Sequence, residues 1–221
     1  MPTLMTRRRE VVAAAVAHLS EQDPILGELI VRVGAFSLKL ERDRFAMLVR
    51  SILSQQISTK AARSVRLKLE AQTNGGGLTP EALSKLSDAE LRQAGLSGQK
   101  TSYIRDLATR VLDGRLQLAK LHRLPDEEVI TELVEVRGIG RWTAQMFLMF
   151  SLGRVDVFPH DDLGLRASMR ELYGLAEHPD KSTCLRIAAP WRPYSTIASW
   201  YVWRLSDLKN DPTMDASRYP V

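Results

Sequence analysis

The stretch that decides the fold is Leu133–Asp162, with the sequence LVEVRGIGRWTAQMFLMFSLGRVDVFPHDD. Apolar residues at helical spacing precede the glycine segment Gly138–Gly140, and a strongly apolar run follows it. Glycine lacks a Cβ, so the backbone can turn sharply there and approach another molecule closely. The stretch therefore predicts two helices joined by a tight turn, followed by a pair of acids, Asp161 and Asp162.

The turn between these two helices also has the chemistry of an anion site. The first N–H groups of a helix have no partner inside the helix, and they attract anions such as phosphate. Successive N–H groups in a glycine turn form a similar concave site. A turn that merely reverses the chain would carry the same glycines, so the glycines alone leave both interpretations open.

Composition limits the possible classes of protein. The chain has 221 residues, of which 44% are hydrophobic, so it can bury a sizeable core. A net charge of +5 suits a polyanionic partner. The single cysteine, Cys184, excludes an internal disulfide and a cysteine-ligated metal cluster. No apolar run reaches transmembrane length and no signal sequence is recognisable, so we expect a cytoplasmic, nucleoid-associated protein that binds no membrane.

The rest of the chain reads as helices, and the predicted fold class is all-α. Asp43 and Ser58 are placed to cap helices, and Ser87–Glu90 has the pattern of a capping box. A short helix is expected over Leu116–Leu121. Neither a series of strands nor an internal repeat is recognisable.

Three side chains are candidates for chemistry. Asp162 lies after a proline turn and before a helix, so it is either an N-cap or a carboxylate that stabilises positive charge, with Asp161 as the cap in the second case. Trp142 is either a core residue or a wall on which a base stacks, and Tyr194 could form a second such wall. Trp200 and Trp203 lie on a long apolar helix and are expected in the core.

Several segments together resemble a known family. They are the glycine hairpin LVEVRGIGRWTA with DVFPHDD, FAMLVRSILSQQISTKAA from Phe45, GLSGQKTSYIRDLA from Gly95 and WRPYSTIASWYVWRL from Trp191. This sequence is similar to the helix–hairpin–helix superfamily of base-excision DNA glycosylases, in its 3-methyladenine DNA glycosylase II (AlkA-like) branch. The likeness runs from about Asp23 to Leu205. The N-terminal β-domain of the longer enzymes is expected to be absent from this chain.

The resemblance implies an architecture. It is a two-lobed helical glycosylase fold with a cleft between the lobes, in a single domain over residues 1–221. One lobe would comprise residues 37–125, and the other residues 9–36 together with 126–208. The helix–hairpin–helix motif would cover residues 126–150.

The resemblance also assigns roles to residues. Asp162 would be the catalytic aspartate, and Gln56 with Gln55 would be the wedge that fills the space left by a flipped base. Met146 and Leu163 stand where the longer enzymes carry pocket aromatics. The base pocket would be lined by Trp142, Tyr194, Met146 and Leu163, and DNA phosphate would be bound at Gly138, Gly140, Arg141 and Thr143.

The implied activity is hydrolysis of the N-glycosidic bond of alkylated bases, such as 3-methyladenine and 7-methylguanine, in duplex DNA by base flipping. Trp142 stands where bifunctional relatives carry a nucleophilic lysine, so a monofunctional enzyme that leaves an abasic site is expected. The protein would act as a monomer, with no iron–sulfur cluster and no required cofactor. A monovalent cation could bind at the backbone carbonyls of Val134, Val136 and Ile139.

Two alternatives remain at this point. The same fold could act on another base lesion, because pocket residues decide the substrate. The chain could instead be a non-catalytic helix–hairpin–helix protein that binds DNA or recognises damage. Such a module needs the hairpin glycines and a basic surface, but not Asp162, Gln56 and aromatic walls together.

Overall fold

The computed structural model describes residues 4–210, with side chains described for residues 8–206. These residues contain helices and turns and no strand, which confirms the all-α prediction for the described part of the chain. The α-helices are α1 Leu4–Gln22, α2 Pro24–Val33, α3 Arg44–Ser54, α4 Thr59–Gln72, α5 Pro80–Lys85, α6 Asp88–Gln93, α7 Gly98–Leu112, α8 Asp126–Val134, α9 Arg141–Phe147, α10 Leu163–Leu172, α11 Lys181–Ala188 and α12 Ser195–Asn210. A π-helical segment, Leu148–Leu152, extends α9, and 3-10 turns cover Leu121–Arg123 and Ala189–Trp191.

The predicted helix caps are confirmed. Asp43 accepts a hydrogen bond from Ala46 N at 2.9 Å, and Ser58 accepts one from Ala61 N at 3.2 Å. Ser87 and Glu90 form the complete capping box, in which each side chain bonds the other residue's backbone. Short polar side chains before an apolar run are therefore dependable helix starts in this sequence.

The expected helix over Leu116–Leu121 is wrong. Those residues form turns, and only Leu121–Arg123 has a 3-10 conformation. The N–H of Leu116 donates to the carbonyl of Arg110 at 2.8 Å, so the chain folds back on the end of α7 instead of starting a new helix. Gly114, with φ +80°, makes that reversal possible.

The chain divides into two compact units. The central unit is Leu40–Leu152, which contains α3 to α9. The terminal unit combines the described residues up to Lys39 with those from Gly153 onward. The hairpin thus belongs to the unit that holds α3 and α7, whereas the sequence prediction grouped residues 126–150 with the two ends of the chain.

In the central unit, α3 supplies the middle of the core. Its apolar face, including Leu48 and Ile52, is fully buried, and α3 contacts α4, α7 and α9. Leu133 of α8 and Phe147 of α9 are buried as well, so both hairpin helices are anchored by apolar side chains. This packing fixes the base of the hairpin, while its turn stays at the surface.

The terminal unit is organised around the buried carboxylate of Asp23. It caps α2 by accepting a bond from Leu26 N at 3.0 Å, and it also accepts bonds from the Tyr173 hydroxyl at 2.5 Å and Trp191 Nε1 at 2.9 Å. Burial, and then the bond to Asp23, raise the pKa of Tyr173 well above its ordinary value. These bonds join residues from both ends of the chain, because a buried carboxylate needs several donors. None of the described helices combines the length and the apolar character that a membrane span requires.

Candidate functional site

The hairpin turn joins α8 to α9, and Gly138 determines its shape. Gly138 has φ +80°, a conformation that residues with a Cβ rarely adopt. The N–H of Ile139 donates to the carbonyl of Val136 at 3.1 Å and closes the turn. The tight turn expected from the sequence is therefore present, and phosphate binding by it stays a prediction.

Gly140 is the N-cap residue of α9 and lies in an open environment. Its φ of −94° is available to any residue, and a Cβ at this position would meet no atom within 4 Å. Without a side chain it offers no capping oxygen to the first N–H groups of α9. The backbone at Gly140 is thus open to the close approach of another molecule.

The other two predicted phosphate-binding residues differ from each other. Arg141 is exposed, and its Nη1 donates to Glu127 Oε2 at 2.9 Å. This hydrogen bond lowers the pKa of Glu127. Thr143 is only 3% exposed, so its side chain packs in the interior of the central unit and the expected phosphate contact is corrected.

Helix α9 presents Trp142 but not Met146. Trp142 is half-buried, so part of the residue remains accessible to solvent. Met146 is 1% exposed and belongs to the core. The expected role of Met146 in lining a base pocket is therefore corrected, because a fully buried side chain offers no surface for stacking.

The structure separates the two glutamines of the predicted wedge. Gln55 is the C-cap residue of α3, and its Nε2 donates to the carbonyl of Gly138 at 2.8 Å. Gln56 is exposed and has φ +58°, a left-handed conformation that a residue with a Cβ adopts only when its surroundings impose it. Of the two, Gln56 is presented at the surface, and Gln55 ties the loop to the hairpin turn.

A cavity of about 550 Å³, which the sequence analysis did not predict, lies beside these residues. Lys100 donates from Nζ to the carbonyl of Leu53 at 2.6 Å, and burial lowers its pKa. The cavity is lined by residues of the loop 55–58 between α3 and α4 (the wedge loop), of α4 and α7, and of the hairpin turn, among them Gln55, Gln56, Ile57, Lys100, Tyr103 and Gly138.

In the terminal unit, Asp162 is the N-cap residue of α10. Its Oδ1 accepts a hydrogen bond from Leu165 N at 2.6 Å. The interpretation of Asp162 as an N-cap is thus confirmed. The alternative, in which Asp161 caps the helix, is wrong, because Asp161 Oδ1 instead lies 2.9 Å from Nδ1 of His160. A carboxylate at the start of a helix is favoured in its charged form, because the N-terminal end of the helix dipole is positive.

Two further residues fix the carboxylate of Asp162. The indole Nε1 of Trp203, on α12, donates to Asp162 Oδ1 at 3.0 Å. A Cβ on Gly164 would lie 3.3 Å from the same oxygen, so glycine leaves the space that the carboxylate fills. Trp203 was expected in the core, but it is half-buried and bonds the predicted catalytic residue. No local signal reveals this bond, because the two residues are 41 positions apart.

Leu163, the residue after Asp162, is 76% exposed. An apolar side chain this exposed at the start of a helix contributes little to the core. The structure therefore leaves its side chain accessible to a ligand, as the predicted role requires, but does not show that role.

Tyr194 is held in the terminal unit by the residues around it. Asp156 Oδ1 accepts bonds from Ser195 N at 3.2 Å and Ser195 Oγ at 2.6 Å, and Asp156 Oδ2 accepts one from Arg192 Nε at 3.0 Å. The ring centroid of His18 lies 5.5 Å from that of Tyr194, in an edge-to-face arrangement. Asp156 thus bonds the backbone N–H of Ser195 after Tyr194 and the side chain of Arg192 before it, and the sequence analysis missed this acid.

The model of the HhH-GPD superfamily of base excision DNA repair proteins matches residues 49–193, which is more than half of the chain. The protein belongs to this superfamily. The match covers both the hairpin turn at Gly138 and the carboxylate of Asp162.

Members of the superfamily with known names resemble the chain over most of its length. DNA-3-methyladenine glycosylase 1 of Schizosaccharomyces pombe is 32% identical over 209 residues, covering 91% of this chain and 92% of the relative. A crystal structure of a DNA-3-methyladenine glycosidase from Bacillus halodurans is 38% identical with a TM-score of 0.79, and covers 87% and 88% of the two chains. The 3-methyladenine DNA glycosylase Mag1 of S. pombe, solved in complex with abasic DNA, is 33% identical with a TM-score of 0.80, and covers 89% and 98%.

The superfamily hairpin also bears on the predicted cation. Backbone carbonyl oxygens are uncharged ligands of the kind that bind monovalent cations. The carbonyl of Val136 accepts the bond from Ile139 N–H, and its second lone pair can still face an ion. Binding of a monovalent cation at the carbonyls of Val134, Val136 and Ile139 stays a prediction. Elsewhere in the described part of the chain, no group of three or more His, Cys, Asp or Glu residues could hold a metal ion.

Proposed function

We propose that the protein is a monofunctional DNA glycosylase, acting as a monomer, that removes alkylated purines of the 3-methyladenine and 7-methylguanine type from duplex DNA and leaves an abasic site. The observation that carries this proposal is Asp162, held at the start of α10 by Leu165 N–H and the Trp203 indole. A helix cap needs only the bond from Leu165 N–H; the second donor, Trp203, fixes the carboxylate at the position that the resemblance assigns to catalysis. The named relatives and the solved complex with abasic DNA support the substrate class.

The first step is capture and opening of the duplex. The amides of the turn at Gly138 and Gly140 hold a backbone phosphate, and the exposed Gln56 enters the space that the flipped nucleotide leaves. A monovalent cation at the carbonyls of Val134, Val136 and Ile139 would add positive charge beside that phosphate. Flipping is easiest where pairing is already weak, which favours a damaged base.

The second step is cleavage of the bond between C1′ and the base nitrogen. The electron pair of this bond leaves with the base, and an alkylated purine that already carries a positive charge departs as a neutral molecule. The sugar becomes an oxocarbenium-like cation, which the carboxylate of Asp162 stabilises. Water then adds to C1′, and its proton is released through Asp162 to solvent. An aromatic face favours a cationic base before cleavage, and the resemblance gives this role to Trp142 and Tyr194.

The monofunctional assignment follows from the chemistry of Trp142. A strand-cleaving glycosylase needs an amine that forms a Schiff base with the sugar. Trp142, at the position where the resemblance places the lysine of bifunctional relatives, has no such amine. The expected product is therefore an intact strand with an abasic site.

The test is base release from duplex DNA that carries 7-methylguanine, measured under single-turnover conditions. The wild type is expected to release the base, and Asp162→Asn is expected to lose release while it still binds a duplex with an abasic analogue. The matched control is Asp161→Asn, the same substitution at the neighbouring acid, which should retain release.

Three results would contradict the proposal in whole or in part. Failure of the wild type to release any base from a panel of alkylated, oxidised and mismatched duplexes would indicate a non-catalytic binding module. Equal release by the wild type and Asp162→Asn would remove Asp162 from the reaction. Release only of another lesion would keep the glycosylase and change its substrate.

A further inference from the structure

The wedge loop and the hairpin turn are linked directly, although 83 residues separate the bonded pair. The bond runs from Gln55 Nε2 to the carbonyl of Gly138, at 2.8 Å. Gln55 immediately precedes the exposed Gln56, and Gly138 is the left-handed residue of the turn. One hydrogen bond therefore joins the two surface elements that the proposed function assigns to DNA.

Tyr103 of α7 packs directly against the same turn. A Cβ built on Gly138 would lie 2.0 Å from Tyr103 Cδ2, so the aromatic ring occupies the space that any other residue at 138 would need. The Tyr103 hydroxyl points to another partner, Gln99 Nε2, at 2.6 Å. The contact with Gly138 is thus made by the ring and not by the hydroxyl.

Helix α7 contacts the chain on both sides of this link. Lys100 Nζ donates to the carbonyl of Leu53 near the end of α3, and Asp106 Oδ2 accepts a bond from Arg137 N of the turn at 2.8 Å. A helix is stiff over this length, since 15 residues span about 22 Å. Helix α7 therefore holds the wedge loop and the turn from a common support.

The cavity beside these residues shows why such a support is needed. Gln55, Gln56, Tyr103 and Gly138 all line it, so the space next to the wedge loop and the turn is not filled by packed side chains. In a close-packed core, the shape of neighbouring side chains sets the distance between elements. Here the bond from Gln55 and the ring of Tyr103 make the direct contacts between the two elements, and the bonds of Lys100 and Asp106 support them from α7.

We infer that Tyr103 is a positioning residue which, together with Gln55, fixes the hairpin turn relative to the wedge loop, so that capture of a phosphate and insertion of Gln56 occur as one coupled step. The inference rests on the proposed function, since it assigns Gln56 and the turn to DNA. Tyr103 acts through the turn and through Gln55, and it need not touch DNA itself.

The test uses a duplex with a tetrahydrofuran abasic analogue, and with 2-aminopurine opposite it to report insertion of the wedge by fluorescence. Tyr103→Leu removes the ring, and Gln55→Met removes the donor at similar length. Each is expected to reduce the insertion signal at saturating protein and to weaken binding by about fivefold. Tyr103→Phe keeps the ring over Gly138 and should stay within about twofold of the wild type. Thermal melting verifies that each variant is folded.

A double-mutant cycle separates positioning from general loss of structure. In the background of Gln56→Ala, Tyr103→Leu is expected to cost little further affinity for the abasic duplex, because the residue it positions is gone. Additive losses would overturn the inference, as would a wild-type insertion signal in both Tyr103→Leu and Gln55→Met.

These readouts do not depend on base release. If the wild type binds the abasic duplex and gives the insertion signal but releases no base, the proposed activity is wrong and the inferred coupling still holds. A wild type that shows no insertion signal on the abasic duplex would overturn the coupling itself. Loss of the signal in Tyr103→Phe as well as Tyr103→Leu would also contradict it, because the hydroxyl would then matter more than the ring.

Discussion

Helix α9 of the central unit and helix α10 of the terminal unit both begin after a turn, and they begin in opposite ways. Helix α9 starts at Gly140, which has no side chain to give to the first N–H groups. Helix α10 starts at Asp162, whose Oδ1 accepts the bond from Leu165 N–H. The N-terminal end of a helix is positive. That end of α9 is open to an anion from another molecule, whereas that end of α10 binds a carboxylate of the protein itself. The difference teaches that a helix start becomes a binding element or a support for catalysis according to the residue before it.

The largest expected effect separates the two roles of Asp162, cap and charge. Both Asp162→Asn and Asp162→Ala should reduce base release by about 10³-fold, because each removes the negative charge. Only alanine also removes the cap, so Asp162→Ala should be less stable than Asp162→Asn by about 1 kcal/mol. Single-turnover release and chemical denaturation measure the two effects. Equal stability of the two variants would mean that the cap bond contributes nothing.

The second prediction compares the two glycines of the hairpin. Gly138→Ala should lower the free energy of unfolding by about 3 kcal/mol or more, because it combines a strained left-handed φ with a clash against Tyr103. Gly140→Ala meets no atom and should change stability by less than about 1 kcal/mol, but its methyl group stands where a phosphate would approach. Weaker binding of DNA by a fully stable Gly140→Ala would support the open helix start, and unchanged binding would contradict it.

The third prediction concerns the support of Asp162 from α12. Trp203→Phe keeps an aromatic ring and removes the N–H donor to Asp162 Oδ1. We expect the single-turnover rate to fall about tenfold, since a hydrogen bond to a charged group is lost, while affinity for the abasic duplex stays the same. Trp200→Phe, the same substitution earlier on α12, controls for lost indole volume. A similar drop in both variants would point to packing instead of the bond.

The smallest effect is expected at Gly164. Its substitution by alanine places a Cβ 3.3 Å from Asp162 Oδ1, so the carboxylate must shift by a few tenths of an ångström. Because misplacement of about 1 Å can cost about 10²-fold, we expect Gly164→Ala to slow base release about threefold. Its melting temperature should not fall, since alanine favours the helix. A rate equal to that of the wild type would show that the carboxylate tolerates the displacement.

Local patterns in the sequence predicted the features that local physics controls. The turn at Gly138, the caps at Asp43 and Ser58, and the all-α class each depend on residues within one or two helical turns of each other. The short helix expected over Leu116–Leu121 failed because the end of α7 captures Leu116 through a backbone bond that the apolar pattern does not show. The two acids after the hairpin were found as well, and the structure selects Asp162 as the cap, which was one of the two interpretations left open by the sequence.

The supporting residues could not be found in this way. Trp203 is 41 positions from Asp162, Ser195 is 39 positions from Asp156, and Gln55 is 83 positions from Gly138. The sequence around an indole, a hydroxyl or an amide does not indicate which distant residue that group will bond. Burial of Met146 and Thr143 was missed for the same reason, since the fully buried face of α9 follows from how the helix packs in the central unit.

The bonds of Asp23 have a consequence for the order in which the protein folds. Asp23 lies near the start of the chain, and its partners Tyr173 and Trp191 follow 150 and 168 positions later. Residues 40–152 form a continuous segment, which can become compact while the ribosome is still synthesising the rest. The unit that carries Asp162 must wait for both ends of the chain, so loop closure over this distance slows its assembly. During synthesis, the hairpin is therefore expected to form before the carboxylate is in place.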